Sequence, residues 1–307
     1  MKSYWTRKHE GRTEVSLQAT PAPLPRLQER LIRVRAASLN RGELLSASGE
    51  WKPAGVEAAG EDVQTGTRLM GRCRGGFAEY ALLDAREALP IPDALSFEEA
   101  AAVPLTFLLA YDILAVQGPL QKGDWLLVVG ASSGVGVACV QAGKLIGALV
   151  AGTSNAPDKL AKLTEQGLDL PLPGHDFVTT FLSATDRKGA SLVVNAVGGS
   201  QFPDCLRALS YEGRLAVVGS VDGQLAASLD LGALHEKRLQ VFGVSNRLRS
   251  PVAKAETVAG FQRDWLPAFA DGRLRPLIDS VFPMEQLDVA IAKMEQNQHC
   301  GKIVVRW

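Results

Sequence analysis

The sequence predicts an α/β fold: a doubly wound parallel sheet with a β-rich domain in front of it. Two observations carry this. From residue 125 onward short apolar runs alternate with helical patterns, and a glycine-rich turn joins the first such pair. Before that point the segments are short and punctuated by glycine and proline, the pattern of a β domain. The length of 307 residues fits two domains of about 100–200 residues each better than one core.

In chain order, residues 1–90 read as β-rich. Val15–Ala19 alternates, Pro21–Pro25 is a link, and Arg30–Ala36 is a strand with charged residues on one face. Phe77–Leu83 is a further strand candidate. Ser96 and Glu99 stand at the N-cap and N3 spacing of a capping box, which opens a short apolar helix. A second helix is predicted from Leu105 to Val116, closed by Gly118 and Pro119. Strands follow at 125–129, 148–152, 168–172, 191–195, 214–218 and 239–243, with helices near 135–147, 157–166, 176–185 and 200–210. Each strand is a short β-branched or leucine run, as expected when helices cover both faces of a parallel sheet. Beyond Arg249 the alternation stops. One amphipathic helix over 252–271, a short helix near Met284–Gln296 and a strand at Gly301–Val305 remain, and that strand is expected to rejoin the N-terminal β domain.

Bulk composition excludes several classes. Lys+Arg and Asp+Glu both total 33, so no net field draws nucleic acid or an anionic membrane. Hydrophobic residues make up 46% and charged residues 21%, which separates the chain from disordered sequences. Cysteines at 73, 139, 205 and 300 are scattered and none has metal-ligand spacing, the usage of a reduced, intracellular protein. The N-terminus lacks an apolar signal core and no apolar run reaches ~18 residues. The expectation is a cytoplasmic protein with no membrane or nucleic-acid partner.

The chemistry centres on the turn after the first strand of the α/β region. Gly130 ends the strand, Ser132 and Ser133 follow, and Gly134, Val135 and Gly136 open a helix. Strand, glycine turn and helix form the geometry that holds a dinucleotide pyrophosphate. Glycine lets the backbone approach the phosphates, and the helix N-terminus turns free N–H groups toward the anion. A site for NADH carries an acid at the end of the second strand. Here that strand ends in Thr153, Ser154 and Asn155, and Lys159 follows. A neutral end beside a cation suits a 2′-phosphate, so NADPH is favoured over NADH. Asn195, Val197 and Gly198 end the fourth strand, and Gly219 and Ser220 end the fifth, at the carboxyl ends that flank the nicotinamide half. Arg247 and Arg249 follow the last strand. They read as contacts to pyrophosphate or substrate, or as a solvated loop.

Over nearly its whole length the chain resembles the medium-chain dehydrogenase/reductase superfamily, in its zinc-free quinone oxidoreductase (zeta-crystallin-like) branch. Arg33–Asn40, Gly75–Tyr80, Leu95–Pro104, Gly130–Gly136 and Gly301–Val305 carry the resemblance, in order. It implies a GroES-like catalytic domain over 1–112 and 249–307, split around a Rossmann NADPH-binding domain at 113–248. It further implies hydride transfer to quinones or α,β-unsaturated carbonyls, commonly in homodimers. Zinc relatives hold their metal with a catalytic cysteine and a Gly-His-Glu motif. Here Val56 stands between Gly55 and Glu57, and no cysteine lies near Asn40, so zinc is not expected.

The hairpin at 61–68 is shorter than in the family. Leu45 and Trp51 fall where relatives often carry tyrosines near the nicotinamide, and Leu109 takes a place often held by threonine, which implies a more apolar pocket. Without metal, a developing oxyanion needs hydrogen-bond donors. Asn40 reads equally as that donor or as a turn residue. Trp51 is a candidate at the reacting ring. Glu43 and Glu57 either organise the site or pair with nearby arginines, and Tyr80 reads as core packing. Two alternatives remain: a non-catalytic NADPH-binding redox sensor or structural protein, and an alcohol dehydrogenase-like enzyme with a degenerate zinc site.

Overall fold

The computed structural model describes residues 1–45 and 49–307, without the side chain of Leu45. The expectation placed on that side chain therefore lies outside the described part. The chain forms two compact units, one from Met1–Leu108 with Pro251–Trp307 and the other from Leu109–Ser250.

The first unit begins with a hairpin of β1 (Lys2–His9) and β2 (Arg12–Ala19). Its turn residues Glu10 and Gly11 both have positive φ, 48° and 78°, the left-handed pair that matches strand twist in a two-residue turn. β3 (Glu29–Ser38) buries Ile32, Val34 and Ala36 and exposes Arg33 and Arg35, so the alternation read from the sequence is the real one. α1 (Arg41–Leu45) and β4 (Lys52–Pro53) follow, then β5 (Glu57–Asp62), β6 (Arg68–Arg74), β7 (Tyr80–Asp84) and β8 (Leu89–Pro90). The strand expected from Phe77 starts only at Tyr80, because Phe77 turns into the core. α2 (Phe97–Ala101) carries the expected capping box. Ser96 accepts from the Glu99 N–H and Glu99 accepts from the Ser96 N–H.

α3 (Thr106–Tyr111) runs into a π-helical turn, Asp112–Gln117, where one continuous helix was expected. The second unit then alternates: β9 (Trp125–Val129), α4 (Gly134–Ile146), β10 (Leu149–Ser154), α5 (Pro157–Glu165), β11 (Leu170–Pro173), α6 (Phe177–Ala184), β12 (Ala190–Asn195), α7 (Phe202–Arg207), β13 (Leu209–Val217), α8 (Leu231–Glu236) and β14 (Gln240–Gly243). Strand order is β11-β10-β9-β12-β13-β14, all parallel, with the order reversing between β9 and β12. This is the Rossmann arrangement, whose ligands sit at that reversal. Its core gathers Leu127, Val129, Phe177, Phe181, Val193 and Leu215. β13 begins five residues earlier than expected and shortens the preceding helix.

The chain returns through α9 (Pro251–Asp264) and α10 (Leu266–Ala270). The sequence pattern predicts one helix here. It breaks at Trp265 because Pro267 has no N–H to donate and its ring crowds the preceding turn. β15 (Ile278–Pro283), α11 (Leu287–Glu295) and β16 (Lys302–Arg306) complete the first unit. β16 pairs with β3, Val304 opposite Ser38 and Val305 opposite Ala37. The β3–β7 pairing curls this sheet back on itself. Tyr80 is not core packing: it is half-buried, and the Arg33 guanidinium lies over its ring at 5.9 Å.

Candidate active site

The glycine turn of the second unit is tied to the neighbouring strand. Gly130 adopts φ +85°, and its N–H donates to Thr153 Oγ1 at 3.1 Å. The Ala131 N–H donates to the Thr153 carbonyl at 2.9 Å. Ser133 is the N-cap of α4: its Oγ accepts from the Gly136 N–H at 3.1 Å and donates to the Gly130 carbonyl at 2.9 Å. Half-buried Ser132 stands beside it in the turn. A Cβ at position 136 would lie 2.6 Å from the carbonyl oxygens of Gly130 and Ala131, so only glycine lets the helix start this close to the strand. Gly134 and Val135 are the first helical residues, where N–H groups have no partner within the helix. An anion fits there chemically.

Three other strand ends gather around this turn. Asn195 is fully buried at the end of β12. Its Oδ1 accepts from the N–H groups of Val197 and Gly198, both at 3.0 Å, and its Nδ2 donates to the Gly198 carbonyl at 2.9 Å. Its side chain therefore builds the loop. Val197 lies against Gly130, within 3.1 Å of where a Cβ there would sit. The loop after β13 is pinned to the same place, with Val218 N–H on the Asn195 carbonyl and Asp222 N–H on the Val197 carbonyl. The Asp222 carboxylate accepts from the Ser200 N–H at 2.8 Å. Gly219 is exposed with open space above its Cα, and the Ser220 carbonyl accepts from Gly223.

At the end of β10, Ser154 is buried and Asn155 exposed, its side chain packed onto Gly174. Lys159 sits half-buried in the first turn of α5. Arg247 is exposed. Arg249 donates to the buried carboxylate of Asp112 at 3.1 Å and to Asn246 at 3.2 Å.

In the first unit the structure assembles a cluster that the sequence reading saw only in part. Glu57, fully buried on β5, accepts four hydrogen bonds. Ser38 Oγ at 2.5 Å, Asn40 Nδ2 at 2.8 Å and Lys302 Nζ at 2.8 Å reach one oxygen, and the Leu105 N–H at 2.7 Å reaches the other. Its partner cation is thus a lysine, not an arginine. Lys302, itself buried, spends its other donors on Asn40 Oδ1 at 2.7 Å and the Leu39 carbonyl at 3.0 Å.

The Asn40 amide also reaches Glu43 Oε1 at 3.3 Å, and Glu43 Oε2 accepts from the Gly55 N–H at 3.0 Å. Both Asn40 donors therefore point at carboxylates of this cluster, and the expectation of Asn40 as oxyanion donor does not fit this orientation. Glu43 lines a small recess with Thr6, Phe77 and Ile291. Burial, joined by the Glu57 charge, pushes its carboxyl up to about 7, against the pull of Asn40, Lys302 and Gly55. Burial and the same two carboxylates push the Cys73 thiol up. The Trp51 ring lies under the Arg7 guanidinium at 4.7 Å. Lys302 was legible only as a charged residue heading an apolar strand, and that was the available signal. Among the described residues no three His, Cys, Asp or Glu side chains come together as a metal-binding group.

Residues 171–305 match the family model described as zinc-binding dehydrogenase. A synaptic vesicle membrane protein VAT-1 homolog from Homo sapiens is 29% identical over 330 aligned positions, covering 96% of this chain and 84% of the relative. A quinone oxidoreductase-like protein 2 homolog from Nematostella vectensis is 28% identical, covering 89% of this chain and 80% of that one. The quinone oxidoreductase of Thermus thermophilus, solved also in complex with NADPH, superposes with a TM-score of 0.87 at 29% identity over the full length of both chains. Over its full length this chain is similar to medium-chain dehydrogenases/reductases of the quinone oxidoreductase-like branch. No helix among the described residues is long and apolar enough to cross a membrane.

Proposed function

We propose that this chain is an NADPH-dependent oxidoreductase that passes hydride to a quinone or an α,β-unsaturated carbonyl without a metal. The observation that carries the reading is the Ser133-capped turn, in which Gly136 lets the α4 N-terminus start close against the end of β9, the end of a helix that favours an anion such as a pyrophosphate. Bound NADPH would supply the hydride. The chain's own residues bind and orient. Val197 and the Asn195-built loop bound the glycine turn on one side, and Thr153 fixes it on the other. Lys159 sits in the first turn of α5, where the helix dipole opposes a cation. A 2′-phosphate offsets that, which favours NADPH over NADH. The likeness to a quinone oxidoreductase solved with NADPH supports the same choice. Arg247 and Gly219, both exposed near the strand ends, are proposed to meet the cofactor. Trp51 and Glu43 are proposed to shape the substrate side.

NADPH oxidation against a panel of quinones and enones tests the reading. Turnover with at least one class is expected, and tight binding without turnover on the whole panel overturns it. The latter result is the signature of a second reading, a cofactor-binding protein without catalysis, which the inward-facing amide of Asn40 favours. A homodimer is proposed through β14, the outer strand of the parallel sheet, whose Val241 is 41% exposed. Sedimentation velocity showing a monomer at micromolar concentration would remove it.

A further inference from the structure

The loops that leave β12 and β13 are joined by one carboxylate, and every residue of the arrangement lies within Leu109–Ser250. Half-buried Asp222 stands in the second loop. Its Oδ2 accepts from the Ser200 N–H of the first loop at 2.8 Å, and its Oδ1 accepts from the Gln224 N–H of its own loop at 2.9 Å. Beside these, the Asp222 N–H donates to the Val197 carbonyl at 3.1 Å and the Gly199 N–H donates to the Gln224 carbonyl at 3.0 Å. Three of these four bonds cross from one loop to the other. Burial opposes the charge on Asp222, yet the donors from Ser200 and Gln224 hold its carboxyl below the ordinary aspartate range.

Two glycines of the first loop make room for this. Gly198 has φ +137°, and a Cβ there would collide with the Asp222 carboxylate. A Cβ at Gly199 would lie 2.8 Å from the carbonyl oxygens of Gln224 and Ala226. The bare backbone at 198–199 therefore admits the chain's own second loop. Val197 of the same stretch packs against Gly130 of the cofactor turn, and its carbonyl is the one that Asp222 holds. Ligands of a doubly wound sheet sit outside the carboxyl ends of its strands at the order reversal, and the two loops leave from there.

We propose that Asp222 is a positioning residue whose carboxylate locks the loops after β12 and β13 into one wall that receives the nicotinamide half of NADPH. This rests on the cofactor reading above. Without the carboxylate the Ser200 and Gln224 N–H groups lose their common acceptor, and the two loops separate for part of the time. A wall that is competent a tenth of the time raises the apparent Kd about tenfold. The adenosine half belongs at the end of β10 and makes no use of this wall, so its binding is indifferent to Asp222.

The test uses the full chain with Asp222→Ala and Asp222→Asn. Calorimetric titration gives the Kd of NADPH and of adenosine 2′,5′-bisphosphate, the adenosine half alone. Amide hydrogen exchange at Ser200 and Gln224 is followed by NMR without ligand. In Asp222→Ala the Kd of NADPH is expected to rise about tenfold, that of the bisphosphate to stay put, and exchange at both amides to speed up. Asparagine keeps one oxygen as acceptor for one of the two N–H groups. Asp222→Asn therefore falls between wild type and alanine in NADPH affinity and in exchange, and it carries the test should the alanine chain not fold. An unchanged NADPH Kd overturns the proposal, as does an equal loss for NADPH and the bisphosphate, which marks a general weakening of the sheet. Unchanged exchange at both amides overturns the clamp itself. Failure of the cofactor reading looks different: wild type then binds NADPH no better than the bisphosphate, and the proposal falls with it.

Discussion

Replacing Glu43 by glutamine changes how the stability of the first unit depends on pH, and the size of the change follows from the site. The Glu43 carboxyl sits at about 7 in the folded chain against 4.5 for an ordinary glutamate. Its folded-state affinity for the proton is raised, so the folded state holds the proton over a range where the unfolded chain has lost it. Below about 4.5 the group contributes nothing to the difference. As pH rises from 4.5 to 7 it costs progressively more stability, and above 7 the cost is constant. The gap corresponds to at most about 3 kcal/mol at ~1.36 kcal/mol per pH unit, or some 2–4 °C of melting temperature for each kcal/mol in a unit of this size. Glutamine keeps an oxygen for the Gly55 N–H and never ionises. Differential scanning calorimetry of both proteins from pH 4.5 to 8.5 is the assay. The curves should meet near pH 4.5 and separate toward pH 8, with the glutamine variant the more stable. Parallel curves across that range refute the argument that burial and Glu57 together disfavour the Glu43 anion.

Other outcomes follow from the same geometry. Gly136→Ala puts a Cβ where two carbonyl oxygens stand at 2.6 Å, so the turn must open, and NADPH affinity by fluorescence titration should drop by at least about tenfold, ~1.4 kcal/mol. Lys159→Ala should weaken NADPH by about tenfold through loss of one charge-assisted bond and leave NADH binding unchanged. An equal loss for both cofactors argues against a 2′-phosphate contact. Arg249→Met strands the buried Asp112 carboxylate and should destabilise the second unit by about 3–5 kcal/mol in urea unfolding. Adding Asp112→Asn should recover most of it.

The α/β unit was readable because its signals are local. Each strand is a continuous apolar run, and Gly130, Ser133 and Gly136 fall within seven residues, so their geometry needs little beyond the chain itself. The Ser96–Glu99 box was readable for the same reason. What escaped was set by tertiary contact. Trp265 and Pro267 split a helix whose apolar spacing continues across them, because periodicity does not register a missing N–H. Asn195 has the sequence of a cofactor contact, yet its amide is used up within its own loop. Arg249 has the position of an anion binder, yet a buried carboxylate claims it. Lys302 escaped altogether, since its partners at 39, 40 and 57 are joined to it only by the pairing of β16 with β3.

That pairing sets an order of events during synthesis. Every strand of the parallel sheet lies within Leu109–Ser250, so the nucleotide-binding unit is complete in sequence while residues 251–307 are still to be added, and domains emerging from the ribosome fold as units. The Glu57 carboxylate, by contrast, waits for residue 302 before its counter-ion exists. A nascent or prematurely terminated chain would carry a finished cofactor turn beside a β unit with an unneutralised buried acid. That intermediate is one that quality control could distinguish from the finished chain by the exposed edge of β3 alone.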